Sequence, residues 1–417
     1  MKYGVIGEKL GHSFSKEIHA RLADYEYEVC ELARDELDGF FARRDFSAIN
    51  VTIPYKKEVI PYLDHLSDIA QELDSVNTIV NKGGELYGYN TDYYGLKMLI
   101  LRCGVDLSGK KVLILGTGGT SRTARLVSSH LGAKEIYLVS RSNSVGAISY
   151  ADAEKHHSDA DVIINATPCG MYPNNYASPL SLDKFPNVTG VIDAIFNPLS
   201  SELVLKAKEK GIAAEGGLFM LVAQAVYAVE FFLDTAIEKE KIDAVFNEIY
   251  NSKQNIVLIG MPCSGKSTVG GILAERLGRR LFDTDAEIEK RIGTSISDYF
   301  AKNGETAFRD VERDVLFDVA KETGVIISTG GGAILRDENV RALRANGKLY
   351  FLDRSLELLF PTDDRPLSRS RDDLIALFEK RYPIYSSVAD VRVDGDSSPD
   401  EVAELIRKDF LYEDFNS

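Results

Sequence analysis

The stretch KKVLILGTGGTSR, residues 110–122, sets the plan of the first half of the chain. The apolar run Val112–Leu115 enters Gly116 and leaves toward a helical pattern. A strand, a glycine turn and a helix in that order aim backbone N–H groups and the positive helix end at a pyrophosphate. Gly116 permits the tight turn, and Gly118 and Gly119 permit close approach of phosphates. A second stretch, NIVLIGMPCSGKST at 255–268, repeats the plan with different spacing. Gly260, Gly265, Lys266 and Ser267 fit G-x-x-x-x-G-K-[S/T] after the strand Ile256–Ile259. The loop running from Gly260 through Ser264 to Thr268 is suited to cradle the phosphates of a nucleoside triphosphate. Lys266 would reach the β and γ oxygens, and the Ser267 hydroxyl would hold Mg²⁺. The first glycine cluster is a weak signal by itself; the second, with its strand and helix, is a strong one.

Around the first stretch, EIYLVS, DVIIN and VTGVIDAIF read as further strands with helical material between them. Apolar strands alternating with helices predict a doubly wound parallel sheet. Before Cys103 the runs YGVIG, SAINVTIP and VNTIV alternate with amphipathic segments, as in a small α/β unit. SKEIHARLADY sets Ile18, Leu22 and Tyr25 at helical spacing, with Ser15 as the expected cap. From Glu215 to Tyr250 the pattern turns helical, and this stretch is expected to pack back onto the first block. The polar NSKQN, 251–255, is the candidate boundary before the third block. The expected fold class is α/β throughout. A small α/β unit (1–103, with 218–250 packed back on it) and a doubly wound parallel sheet (104–217) precede a P-loop α/β domain with a parallel sheet (255–417).

The 417 residues carry a formal net charge of -15 and no dense Lys/Arg block, which argues against nucleic acid or anionic membrane as partners. An anionic ligand must then be held by a few local cations. No run approaches the ~20 apolar residues of a membrane span. The opening MKYGVIGEKL lacks the pattern of a secretory leader. Cys30, Cys103, Cys169 and Cys263 are scattered, which suits free thiols in a reducing, cytoplasmic setting. All six histidines precede residue 160, so the C-terminal block works without a histidine base.

The strand after the glycine turn ends in Ser140-Arg141-Ser142, with no acid to accept from a ribose 2′-OH. A cation and small hydroxyls suit a 2′-phosphate, so NADP is expected over NAD. Polar clusters at His12–Ser15, Asn50–Lys56, Asn77-Thr78, Asn90–Asp92 and Gln224 supply the small hydrogen-bonding groups that a polyhydroxylated ring needs. Lys56 and Asp92 are the strong acid/base pair among them, with Lys57 the alternative to Lys56. In the C-terminal block, Asp283 and Asp285 would point the same way if their strand continues. One would then bind Mg²⁺ and the other an acceptor hydroxyl. Arg309, Arg365 and Arg381 can fork onto a carboxylate or a phosphate. Gly330, Gly331 and Gly332 would let a ring lie against bare backbone.

In order, GEKLGHSFS, NVTIPYK, SVNT, YNTD, GTGGTSR, NATPCGM, DAIFNP and EGGLFMLVAQ resemble the shikimate dehydrogenase family over about residues 1–250. GMPCSGKST, FDTD, AFRDVE, STGGGA, DDRPL and KRYPIY resemble shikimate kinase over nearly all of 255–410. The first resemblance implies that Ser13 and Ser15 bind shikimate and that Thr52, Asn77 and Gln224 add ring contacts. It makes Lys56 and Asp92 the catalytic pair, places Met220 near the nicotinamide, and implies a split catalytic domain closing over a Rossmann-like NADP domain. The second implies Asp283 as the Mg²⁺ partner and Asp285 as anchor, and candidate base, for the shikimate hydroxyls. Arg309 and Arg381 become carboxylate clamps, Gly330 to Gly332 line the ring, and Arg365 reaches phosphates from a lid. The combined reaction would be 3-dehydroshikimate plus NADPH to shikimate, then ATP to shikimate 3-phosphate. Among the departures from the families, Val145 stands where a second arginine is expected, the stretch from Leu352 to Arg365 is several residues short and lacks the arginine usually found upstream of RPL, and VDGDSSPD, from Val393, lacks a basic residue. The alternatives are an NAD-using quinate/shikimate dehydrogenase with a kinase attached, and a ligand sensor with one inactive half.

Overall fold

The computed structural model describes residues 1–417 apart from 12–13, 143, 361–369 and 412–417. The chain divides into two compact units, Met1–Ile249 and Tyr250–Ser417.

The first unit holds two six-stranded sheets. One runs in the order Tyr27–Glu31, Tyr3–Gly7, Ala48–Val51, Thr78–Lys82, Glu85–Tyr89, His65–Leu66. Its first three strands are parallel, and the hairpin Thr78–Tyr89 joins antiparallel. Ile6, Ile49, Val51 and Ile79 put their side chains into a core closed by Phe40, Phe41 and Tyr55. The other sheet is wholly parallel: Ala213–Glu215, Gly190–Asp193, Val162–Asn165, Lys111–Leu115, Glu135–Ser140, Ala147–Ser149. Its middle strands read VLIL, VIIN and GVID and are buried along their length, as expected of parallel strands covered on both faces. Lys111–Leu115 lies between neighbours reached in opposite directions. The turn at Gly116 therefore opens on the crevice where the strand order reverses.

Helix Leu218–Leu233 is apolar nearly all round, so it must be covered on several sides. It packs on helices Thr91–Arg102 and Phe14–Leu22 and on the first sheet, which is the return predicted from sequence. Gly95 makes the closest crossing possible. A Cβ there would stand 2.7 Å from the Met220 carbonyl oxygen and 2.9 Å from Gln224 Cβ.

The second unit is built on one parallel sheet in the order Leu281–Asp283, Ile326–Ser328, Asn255–Ile259, Gly347–Asp353, Val391–Asp394. Helices cover both faces. Ile256, Leu258 and Tyr350 face a core with Val402 and Ile406, whereas Val257, Ile259 and Phe351 face one with Phe308, Leu316 and Tyr385.

Ser15 lies inside helix Phe14–Leu22 rather than capping it as expected, and Tyr25 falls beyond the helix and stacks on Tyr3 at 4.4 Å. The candidate boundary NSKQN is mostly helical: helix Lys239–Lys253 runs through Lys253, and strand Asn255–Ile259 starts after Gln254. The strand carrying Asp283 stops there. Asp283 is the N-cap of helix Thr284–Ile292, and its carboxylate accepts from the N–H groups of Asp285 (3.1 Å) and Ala286 (3.4 Å). Aspartate is among the best N-caps, so capping wins over strand continuation. Among the described residues, no helix is long and apolar enough to cross a membrane.

Candidate functional sites

The first site is a pocket of about 230 Å³ in the first unit. Ser15, Thr52, Lys56, Asn77, Asp92, Met220 and Gln224 all line it. Ser13 lies outside the described residues. Lys56 follows the strand Ala48–Val51, and Asp92 sits in the first turn of helix Thr91–Arg102, where the positive helix end favours a carboxylate. Lys56 Nζ donates to Asp92 Oδ2 at 2.5 Å, and Asn77 Nδ2 donates to Asp92 Oδ1 at 3.0 Å. Asn77 Oδ1 accepts the Thr91 N–H at 2.7 Å, one of the orphan donors of that helix. Lys57 instead pairs with Asp74 at the surface, 2.6 Å away, and does not line the pocket. Asn50, Thr120, Phe196 and Leu221 are also part of the wall. Thr120 and Phe196 lie in the runs GTGGTSR and DAIFNP, but neither was singled out from sequence as a pocket residue. Asn50, by contrast, stands in a polar run already visible in the sequence.

Beside the parallel sheet is a second cavity, of about 600 Å³, lined by Gly116–Gly118, Ser140–Ser142, Tyr150 and Thr167. Gly116 has φ +108, a conformation that other residues avoid. A Cβ on Gly118 or Gly119 would meet nothing within 4 Å, so the backbone there is bare toward open space. Helix Gly119–His130 starts at this point. This is a fit for a pyrophosphate at a helix N-terminus, with Arg141 and two serines at the ribose end. Ser140 Oγ and Ser142 Oγ lie 3.0 Å apart. Val145 is fully exposed and adds no cation. At the end of strand Gly190–Asp193, Asp193 is buried and accepts from Ser201 Oγ (2.6 Å), Asn165 Nδ2 (3.0 Å) and Ile195 N–H (3.0 Å). Burial still pushes its pKa up to about 6.

In the second unit the loop 260–265 turns around Lys266, whose Nζ donates to the carbonyls of Gly260 (3.0 Å) and Met261 (2.8 Å) and to Ser264 Oγ (3.4 Å). Gly260 and Gly265 both take positive φ, +148 and +90. Thr268 follows in the first turn of helix Lys266–Leu277. Ser267 Oγ donates to Asp283 Oδ2 at 2.5 Å. One hydroxyl and one carboxylate suit Mg²⁺, which keeps several of its oxygens from water and nucleotide phosphates. No group of three or more His, Cys, Asp or Glu is placed to hold a metal among the described residues.

Next to that loop opens a cavity of about 460 Å³ lined by Asp283, Asp285, Arg309, Gly330–Gly332 and Arg381. Arg309 Nη1 donates to buried Glu312 at 2.7 Å, and Arg381 Nη1 donates to the Gly331 carbonyl at 2.8 Å. Tyr385 O–H reaches the same carbonyl at 2.5 Å. Burial pushes the Glu312 carboxyl up and the Arg381 guanidinium down from their ordinary values. The Nε of Arg309 and of Arg381 are buried without a hydrogen-bond partner among the described residues. The glycines are there for space: a Cβ on Gly330 would come within 2.5 Å of Asp285 Oδ1, and one on Gly332 would overlap the Arg309 guanidinium. Glu312 and Tyr385 were not singled out from sequence, because each reads as an ordinary helix residue. Arg365 lies outside the described residues.

Comparison with known proteins agrees with these two assemblies. Residues 5–79 match the family model of the shikimate dehydrogenase substrate binding domain, and residues 262–410 match that of shikimate kinase. An NADP(+) shikimate dehydrogenase of Clostridium perfringens is 35% identical over 274 residues, covering 59% of this chain and 97% of its own length. The solved shikimate dehydrogenase 1 of Peptoclostridium difficile is similar at 37% identity and a TM-score of 0.53, over 60% of this chain and 98% of that one. The Thermus thermophilus enzyme, solved in complex with NADP(H) and shikimate, is similar at 26% identity and a TM-score of 0.53, over 60% of this chain and 99% of that one. The chain therefore belongs to the shikimate dehydrogenase family through its first unit and carries a shikimate kinase domain in its second.

Proposed function

We propose that the two units carry out consecutive reactions on one small hydroxylated carboxylate. The first reduces 3-dehydroshikimate to shikimate, and the second transfers the γ-phosphoryl group of ATP to shikimate. The observation that carries the first step is the Lys56–Asp92 pair at 2.5 Å inside a pocket of about 230 Å³ walled by hydrogen-bonding side chains. Lys56 Nζ gives a proton to the ketone oxygen as the carbonyl carbon is reduced, and Asp92 holds the ammonium in place. Ser13, Ser15, Thr52, Asn77 and Gln224 hold the ring, and Met220 closes the side facing the dinucleotide. NADPH, held by Gly116–Gly119 and Ser140–Ser142, supplies the hydride. Arg141 with no acid beside it favours NADPH over NADH.

In the second unit Arg309 and Arg381 take the substrate carboxylate, and Gly330–Gly332 lie under the ring. Asp285 orients the hydroxyl and accepts its proton. Lys266 and Arg365 neutralise phosphate oxygens, and Ser267 with Asp283 would hold the Mg²⁺ that screens them. We divide the chain as 1–103 with 218–250 for substrate, 104–217 for dinucleotide and 255–417 for the kinase. Free thiols and small soluble substrates suit the cytoplasm, with no nucleic acid or membrane as partner. The test is a one-pot assay with 3-dehydroshikimate, following NADPH oxidation and ADP release. Oxidation should need only the ketone and NADPH, and ADP release should then need ATP as well. Oxidation without any ADP release refutes the kinase reading; the converse, ADP release from supplied shikimate with no reduction, refutes the dehydrogenase.

A further inference from the structure

Behind the first pocket runs a set of buried polar groups that packing does not require. Burying an amide or hydroxyl without a partner is unfavourable, so each must be hydrogen-bonded. Asn50 lines the pocket, and one end of its amide faces the Asn77 backbone carbonyl at 3.3 Å. A carbonyl only accepts, so that end is the NH₂. The same NH₂ meets Thr78 Oγ1 at 3.1 Å. Asn50 Oδ1 then faces the Tyr27 hydroxyl at 2.7 Å, and Tyr27 must donate. At the far end, Asn77 Oδ1 faces the Thr91 N–H, which only donates. The Asn77 NH₂ is thereby turned onto Asp92. Thr78, receiving from Asn50, lies within reach of Asn77 Oδ1 at 3.1 Å and of Thr91 Oγ1 at 3.3 Å. The Asn77 carbonyl and the Thr91 N–H thus set the orientation of both amides between Tyr27 and Asp92.

Tyr27 is held in turn. Its ring stacks on buried His19 with centroids 4.0 Å apart and planes 17° apart. His19 Nδ1 lies 2.7 Å from the Tyr25 hydroxyl. Burial pushes the His19 pKa down to about 3, against the opposing hydrogen bond with Asn50, so no charge sits beside the chain of bonds at neutral pH.

We propose that Tyr27 is a positioning residue for the reduction: its hydroxyl fixes the Asn50 amide, and through Thr78 supports the Asn77 amide that orients Asp92. This deepens the dehydrogenase reading of the pocket and rests on it. Tyr27→Phe keeps the ring and its stack and removes only the donor. It should lower kcat/KM for 3-dehydroshikimate about two- to tenfold, the range for one buried hydrogen bond lost. The dissociation constant for NADP⁺ by titration calorimetry should not change, which shows the unit is folded. In an Asn50→Ala background the same substitution should do little, because the two side chains act in series. Thr78→Val breaks the next link and should give a loss of similar size. Parental kcat/KM in Tyr27→Phe overturns the proposal, as do losses from Tyr27→Phe and Asn50→Ala that multiply. If Tyr27→Phe no longer binds NADP⁺, Thr78→Val decides, and full activity there overturns the proposal. A parent chain inert toward the ketone refutes the dehydrogenase reading and this proposal with it; an active parent with unaffected variants refutes the proposal alone.

Discussion

Gly332 has no room for a side chain, because the Arg309 guanidinium fills the place where a Cβ would go. That guanidinium is pinned to Glu312, itself buried, so it cannot swing aside without breaking a charged pair. Gly332→Ala should therefore raise the kinase KM for shikimate roughly tenfold or more, the scale of one lost charge-assisted bond, and leave NADPH oxidation untouched. Steady-state kinetics of both reactions on one preparation check this. Lys56→Ala is the reciprocal case. It should lower dehydrogenase kcat about 10²- to 10⁴-fold, the usual worth of a general acid, while the kinase keeps its rate. Lys56, Asn77 and Asp92 were legible because each belongs to a short polar run that packing leaves unexplained. Asn50 belongs to such a run too, yet its bond to Tyr27 joins residues 23 apart in sequence. Nothing in either local pattern announces the other. Glu312 hides for a different reason: at helical spacing from apolar neighbours, a buried carboxylate looks like any solvated one until its arginine is seen.

Strands and helices were more readable than the joints between them. The apolar runs VLIL and IVLI announce buried parallel strands, and the glycine turns that follow announce helix starts. What failed was the ending of elements. Strand Leu281–Asp283 stops because Asp283 caps a helix, a competition that alternation alone does not register. The ends of strands Val162–Asn165 and Gly190–Asp193 are tied by Asp193, which takes donors from Asn165, Ile195 and Ser201. Burial raises its pKa to about 6 in the folded chain, against 3.8 as the ordinary value. Between those values the folded state holds more protons than the unfolded, so stability falls as pH rises through the window and stays lower above it. The change is of the order of 3 kcal/mol. The calorimetric transition of the first unit, identified by its upward shift with NADP⁺, should move down between about pH 4 and 6 relative to Asp193→Asn. A difference between the two proteins that is flat across that interval would show that Asp193 does not titrate there.

Each unit has its own sheet and its own apolar clusters, so each has the means to fold alone. Where the chain can be cut is a sharper question, because helix Lys239–Lys253 runs through the division at Ile249. The side chains that this helix buries, Ile242, Val245, Phe246 and Ile249, all precede the division. The residues after it are bound into the second unit through their backbone. Arg279 Nη1 donates to the Gln254 carbonyl at 2.7 Å and Nη2 to that of Asn251 at 2.5 Å. The Gly324 N–H donates to the Lys253 carbonyl at 2.8 Å. The Arg279 guanidinium lies over the Phe410 ring at 4.6 Å, and burial lowers its pKa, so it depends on those carbonyls. A fragment of residues 250–417 should therefore fold and phosphorylate shikimate at close to the rate of the whole chain. One beginning at Asn255 leaves a partly buried cation without two acceptors, which destabilises by about 1.5–3 kcal/mol. Urea unfolding of the two fragments, followed by circular dichroism, should separate them clearly, and the shorter one should lose kinase activity at lower denaturant. Equal midpoints would mean that solvent replaces the carbonyls and that the last turn of the helix contributes nothing to the kinase. A fragment 250–417 that folds but cannot phosphorylate shikimate would mean that the second reaction needs the first unit, contrary to the independent operation these separate cores imply.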